Sequence, residues 1–133
     1  MLPEPHRLRR RADFSRTVRR GRRAGKQDLV VHVLTELPDP ESGEVTTRFG
    51  GPRFGLIVSK AVGPAVVRHR VARRLRHICA ELTAEVPTEV DIVIRALPGS
   101  AAAGSDELRR QLRSGLRKLG VQPVGAFADA GTP

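Results

Sequence analysis

Five arginines, Arg68, Arg70, Arg73, Arg74 and Arg76, crowd into ten residues of this chain together with His69 and His77, and Lys60 precedes them. No Asp or Glu occurs anywhere from Val45 to Ala80, so these cations lack the local i,i+4 carboxylates that would neutralise them. A solvated helix face is served equally well by mixed charges, whereas like charges without acids repel one another until an anionic partner relieves them. Guanidinium is planar and weakly hydrated, grips phosphate through paired N–H groups and stacks on unpaired bases, so the chemistry implied is recognition of RNA. The whole chain agrees, with 24 Lys and Arg against 14 Asp and Glu and a formal net charge of +10 over 133 residues. Its aromatics are only Phe14, Phe49, Phe54 and Phe127, too few to present several base-stacking platforms, which leaves most of the binding to charge.

Protein-based catalysis finds little support in the sequence. The acids are scattered, Asp13, Glu81 and Glu85 have no spacing that gathers them around magnesium, and His6, His32, His69 and His77 show no zinc spacing. No catalytic residue and no protein metal site are therefore assigned. Gly21 to Lys26 is one residue short of a phosphate-binding loop and is followed by Gln27 rather than Ser or Thr. The single cysteine, Cys79, can form no internal disulfide and reads as a small buried residue. No apolar run nears the ~18 residues of a membrane span, and no apolar stretch follows the N-terminal charges as in a signal peptide. The expectation is a cytoplasmic protein with no membrane partner.

The elements that must position these arginines follow from periodicity. Ten basic residues and one acid lie between Arg7 and Lys26, and sparse apolar points at Leu8, Phe14 and Val18 predict an arm and a short helix outside the core. Residues 28–37 are rich in β-branched residues and end at Pro38, a strand; 38–51 form a long Pro- and Gly-rich connection; Arg53 to Ser59 is a second strand. Pro64 opens a helix expected to run to about Glu85, with Val67, Val71, Leu75, Ile78 and Leu82 in one apolar stripe. His69, Arg70, Arg73, Arg76 and His77 fall on the far side, and Arg68 and Arg74 flank the stripe. Residues 90–97 are a third strand, 98–104 a loop, and Ser105 is expected to cap a last helix bearing Leu108, Leu112, Leu116 and Leu119. Strand, helix and strand in succession imply a parallel crossover, with the earlier strand pairing antiparallel across the long loop, hence a single-domain α+β sandwich with a mixed sheet.

The stretch from Lys60 to His77 resembles the signature of the bacterial ribonuclease P protein family: Gly63-Pro64-Ala65-Val66, then Arg68-His69-Arg70, Arg73 and Arg76. The strand Arg53 to Lys60 and the entry Leu8 to Phe14 are also similar to that family, and the order of elements agrees from about Arg7 to Leu119. Pro64 and His69 stand where the family usually has asparagines, Ala72 where a lysine is common, Val18 where a second aromatic is often found, and His32 at a strand position that is often aromatic.

The resemblance implies a fold similar to the second domain of ribosomal protein S5, with a left-handed crossover that general statistics would not suggest. It implies a domain over 1–120 and a flexible tail over 121–133. It implies a protein subunit that binds the ribonuclease P catalytic RNA through Lys60, Arg68, His69, Arg70, Arg73, Arg74 and Arg76. Arg7, Arg9, Phe14, Val18 and His32 would line a cleft for the 5′ leader of precursor tRNA. Phe14 reads equally as a staple against the core, and His32 as an ordinary sheet-face residue. The chemistry would belong to the RNA, with Mg2+ held mainly by RNA, and no obligate protein partner is implied. The alternative is a ribosomal or general RNA-binding protein of similar fold with no role in cleavage.

Overall fold

Two seven-residue strands rich in β-branched residues and an apolar stripe on each of two helices give this chain one continuous core between a sheet and a helical layer. The computed structural model describes residues 6–8, 11–35, 52–86 and 90–121. In order they form α1 (Arg11–Arg20), β1 (Arg22–Gly25), β2 (Leu29–Thr35), β3 (Arg53–Ile57), α2 (Ala65–Leu82), β4 (Val90–Ala96) and α3 (Ser105–Lys118), with short 3-10 turns at Lys60–Val62 and Pro98–Ala101. The sheet order is β1-β2-β4-β3; β2 runs antiparallel to both neighbours and β3 parallel to β4, so β3, α2 and β4 make the expected crossover.

Side chains alternate across a pleated sheet, and the pairing register sorts them. Leu29, Val31, Val33, Phe54, Ile92 and Ile94 join the core beneath α2 and α3. The stripe on α2 is buried at Val71, Leu75, Ile78 and Leu82, with Val67 partly covered, and Leu108, Leu112, Leu116 and Leu119 of α3 are buried beside it. Cys79 is wholly enclosed, and burial pushes its thiol far above the ordinary range. The helices are tied by Arg109 to Glu81 at 2.8 Å and Arg113 to Glu85 at 2.9 Å.

The other sheet face carries Arg23, His32, Val93 and Gly55 in one cross-strand row and Gly25, Val30, Arg95 and Ile57 in the next. α1 lies on this face. Its Phe14 reaches the sheet because position 55 is glycine: a Cβ there would stand 2.5 Å from the Phe14 ring. Arg53 donates to both carboxylate oxygens of buried Asp91 at 2.9 Å and reaches Asp13 of α1 at 3.6 Å, anchoring the helix electrostatically.

Several expectations are corrected. The arm before β2 contains a strand, β1, which owes its extended form to pairing with β2 because its sequence, Arg-Arg-Ala-Gly, has little strand preference of its own. β2 pairs with β4 rather than across the long connection to β3, which leaves the parallel pair at one side of the sheet. Gly104, not Ser105, is the cap of α3, and no side chain completes it. Pro64 is likewise the cap of α2 rather than its first residue, its carbonyl accepting from the Arg68 N–H at 3.0 Å. α2 ends at Leu82, short of Glu85, and a 3-10 turn occupies part of the 98–104 loop. Of the expected tail, Val121 packs into the core; residues 36–51, 87–89 and 122–133, covering the long connection, Pro87 and the remaining tail, lie outside the described residues.

A buried polar clamp joins the start of β2 to α3: the Asp28 N–H donates to Gln111 Oε1 and Gln111 Nε2 donates to the Asp28 carboxylate, both at 2.8 Å. Gln111→Leu orphans both Asp28 groups, at about 1–3 kcal/mol each. The expected outcome is a lower urea midpoint with an unchanged slope, read by circular dichroism.

Candidate nucleic-acid interface

α2 presents its cations because its opposite face is occupied by the core. His69, Arg70, Arg73 and His77 are exposed, Arg76 is half-buried, and Lys60 is exposed on the turn before the helix. Gly63 precedes the cap with φ +154, and a side chain there would crowd Val67, so glycine shapes the entry to the helix. The first turn of α2 holds no acid, and its tip exposes Val66 at 77%. Among the described residues, none of the α2 arginines faces a carboxylate in an ion pair.

The two flanking arginines differ from the rest. Arg74 Nη1 donates to the Ala103 carbonyl at 2.9 Å and Arg68 Nε to the Gly63 carbonyl at 3.2 Å. Each retains other N–H donors, since guanidinium has five. Between α2 and α3 an open groove of about 420 Å³ is lined by Arg70, Arg73, Arg74, His77 and, from α3, Ser105 and Arg109. Glu81 also borders it, but its carboxylate is held below the usual range, first by its hydrogen bond from Arg109, so it stays paired. The groove is therefore cationic, and Arg109 is a member that the α2 pattern alone did not suggest.

The residues expected to line a leader cleft lie where α1 packs on the outer face of the sheet. Phe14, half-buried, covers Gly55, and His32 lies two strands away in the same row. Val18 is half-buried on α1. Arg7 joins the opposite edge of the sheet through a parallel bridge to Phe54, with the Leu8 N–H donating to the Phe54 carbonyl at 2.8 Å. Arg9 lies outside the described residues. The same sheet face also carries Arg23 and Arg95, both exposed, which sequence reasoning missed. Arg95 was accessible to it: Asp91, Val93 and Arg95 alternate with the core residues Ile92 and Ile94 and so share the outer face.

His32 is 2% exposed, and neither ring nitrogen has a hydrogen-bond partner. Burial lowers its basicity first, and the charges of Arg95 and Arg23 lower it further, which favours a neutral ring with one donor and one acceptor. The imidazole is thus enclosed beneath α1 with both of its nitrogens unpaired. No group of three or more His, Cys, Asp and Glu suited to a metal occurs among the described residues, and no described helix is long and apolar enough to cross a membrane.

Comparison with known proteins matches the same chain length as the fold. A family model described as Ribonuclease P matches residues 2–120. The ribonuclease P protein component of Nocardia farcinica is 64% identical over 141 residues, covering 98% of this chain and 90% of that protein. That of Rhodococcus jostii is also 64% identical, over 96% of this chain and 100% of its own. Among solved structures, a mutant of the Staphylococcus aureus RNase P protein with defective mRNA degradation activity superposes with a TM-score of 0.71 at 22% identity, covering 87% of this chain and 89% of that one, and supports the fold.

His32 gives a pH prediction. Its folded-state value lies below the ordinary 6.5, so the unfolded chain takes up a proton first as pH falls. Stability should be full above pH 6.5 and decline as the pH drops through the lowered folded value. His32→Leu should remove this component, seen as a flatter dependence of the urea midpoint on pH.

Proposed function

The chain belongs to the ribonuclease P protein family, the protein component of an endoribonuclease holoenzyme that serves tRNA 5′ processing, and from that premise we propose how its two surfaces divide the work. α2, with Lys60, Arg68, His69, Arg70, Arg73, Arg74 and Arg76, binds the catalytic RNA. The cleft, with Arg7, Arg9, Phe14, Val18 and His32, holds the 5′ leader of precursor tRNA. The observation that carries this reading is an arginine face that, among the described residues, has no carboxylate partner, on a helix whose other side is committed to the core. Such a face screens phosphate repulsion, which lowers the magnesium that the folded RNA demands.

Bond cleavage is assigned to the RNA, with Mg2+ held mainly by RNA. The described protein residues do not fit a magnesium site, because their carboxylates are scattered and many already bind arginine. The protein contributes binding energy: contacts to the leader favour precursor over mature tRNA and position the chain for cleavage. A cytoplasmic location accords with this role.

The decisive experiment is cleavage of a precursor tRNA at low magnesium by the ribonuclease P RNA of the same organism, with and without the protein, beside the protein alone. Cleavage at the mature 5′ end should require RNA and protein together. No stimulation would make this a general RNA binder, and cutting by protein alone would make it a nuclease. In a salt titration of RNA binding, Arg70→Ala with Arg73→Ala should reduce the slope of log K against log salt by about 1–2, without loss of folding.

A further inference from the structure

α2 carries a single carboxylate, and it stands on the side of the arginines. Glu81 is the only acid in Ala65–Leu82. At 3.6 residues per turn it lies within about 40° of Arg70, Arg74 and His77 around the helix axis. With Arg73, these side chains line the groove against α3. Glu81 is exposed, and His77 precedes it by one turn, the i,i+4 spacing at which opposite charges meet along a helix. It is therefore placed to neutralise cations of its own helix.

Arg109 of α3 prevents this by occupying both carboxylate oxygens. Its Nε donates to Glu81 Oε2 at 2.8 Å and its Nη2 to Oε1 at 3.1 Å, while Nη1 donates to Asp106 at 2.6 Å. All three guanidinium nitrogens are thus engaged by carboxylates, and the charge of Arg109 is matched within the protein. Without that guanidinium, the cations whose fields reach Glu81 are Arg113, already bound to Glu85, and His77. A freed carboxylate would turn toward the groove.

An interhelical tie alone does not account for the arrangement. One turn along α3, Arg113 donates to Glu85 at 2.9 Å and ties α3 to the end of α2 a second time, away from the groove lining. What sets the Arg109 pair apart is that its acid faces the α2 arginines.

We propose that Arg109 is a positioning residue for the RNA interface: by holding both oxygens of Glu81, it keeps the one acid of α2 away from Arg70, Arg74 and His77 and leaves those side chains open to RNA phosphates. This rests on the assignment of α2 to the catalytic RNA made above. Arg109 acts through Glu81, not by touching RNA.

The test measures binding of the whole protein to the ribonuclease P RNA of the same organism across a salt titration. The variants are Arg109→Gln, Glu81→Gln and the two combined, with a thermal melt of each to check the fold. Arg109→Gln should weaken binding and lower the slope of log K against log salt by about 1, as when one phosphate contact is lost. Glu81→Gln breaks the same bridge, yet should bind at least as tightly as unaltered protein, and the double variant should regain the unaltered affinity and slope. A bridge that matters only to the fold would make both single variants lose affinity alike. A guanidinium that itself touches RNA would leave the double variant as weak as Arg109→Gln. Either result overturns the proposal, as does full affinity in Arg109→Gln. The Arg70→Ala, Arg73→Ala protein, run beside them, separates premise from proposal. Full affinity there would bring down the assignment of α2 and the proposal with it, whereas loss there and none in Arg109→Gln would overturn the proposal alone.

Discussion

Repulsion among its own cations is the constraint around which this fold is arranged. With a net charge of +10, acids are scarce, and four of them join one element to another. Glu81 and Glu85 join α2 to α3 through Arg109 and Arg113, and Asp13 and Asp91 meet at Arg53 to hold α1 on the sheet. Many of the cations left over stand on α2 and at the β1 edge, with the apolar core between them. Three strand spacings of about 4.8 Å separate the sheet's edges by ~14 Å, more than the ~8 Å Debye length at physiological salt, so the two groups repel only weakly through solvent. The core can therefore carry both without their destabilising each other.

The cleft illustrates how a polar group can be left wanting. Buried side-chain nitrogens ordinarily find partners, yet His32 has none, and its cross-strand neighbour Arg23 and diagonal neighbour Arg95 make protonation unfavourable. A leucine there would remove the unmet hydrogen-bonding groups.

What was legible in the sequence were features that repeat with an element's own period. The stripe on α2 and the leucines of α3 are buried as read, because a 3.6-residue pattern specifies the inward face whatever it packs against. The parallel crossover followed from the order of elements. Strand partners did not, since alternation says which way side chains point but not which strand lies beside which; hence β2 beside β4 came only with the structure. β1 was hidden for a related reason: Arg22 to Gly25 is a strand by pairing, not by composition. Among site residues, the α2 arginines stood out by spacing, whereas Arg23 and Arg109 reach their sites through tertiary packing.

Charge and cleft solve different parts of one recognition problem. An arginine face attracts any phosphate backbone, and a contact made equally by precursor and mature tRNA, or by free RNA, adds affinity without preference. Preference needs contacts available only to the molecule to be cut. On the proposed function, those are leader contacts on the sheet face beside α1, where Arg23 and Arg95 are exposed. Placing the cleft and the α2 face on opposite sides of one rigid sheet-and-helix core fixes their separation. On the same proposal, leader binding positions the precursor relative to the RNA subunit at little further entropic cost, and a small RNA-binding protein thereby serves an endonuclease.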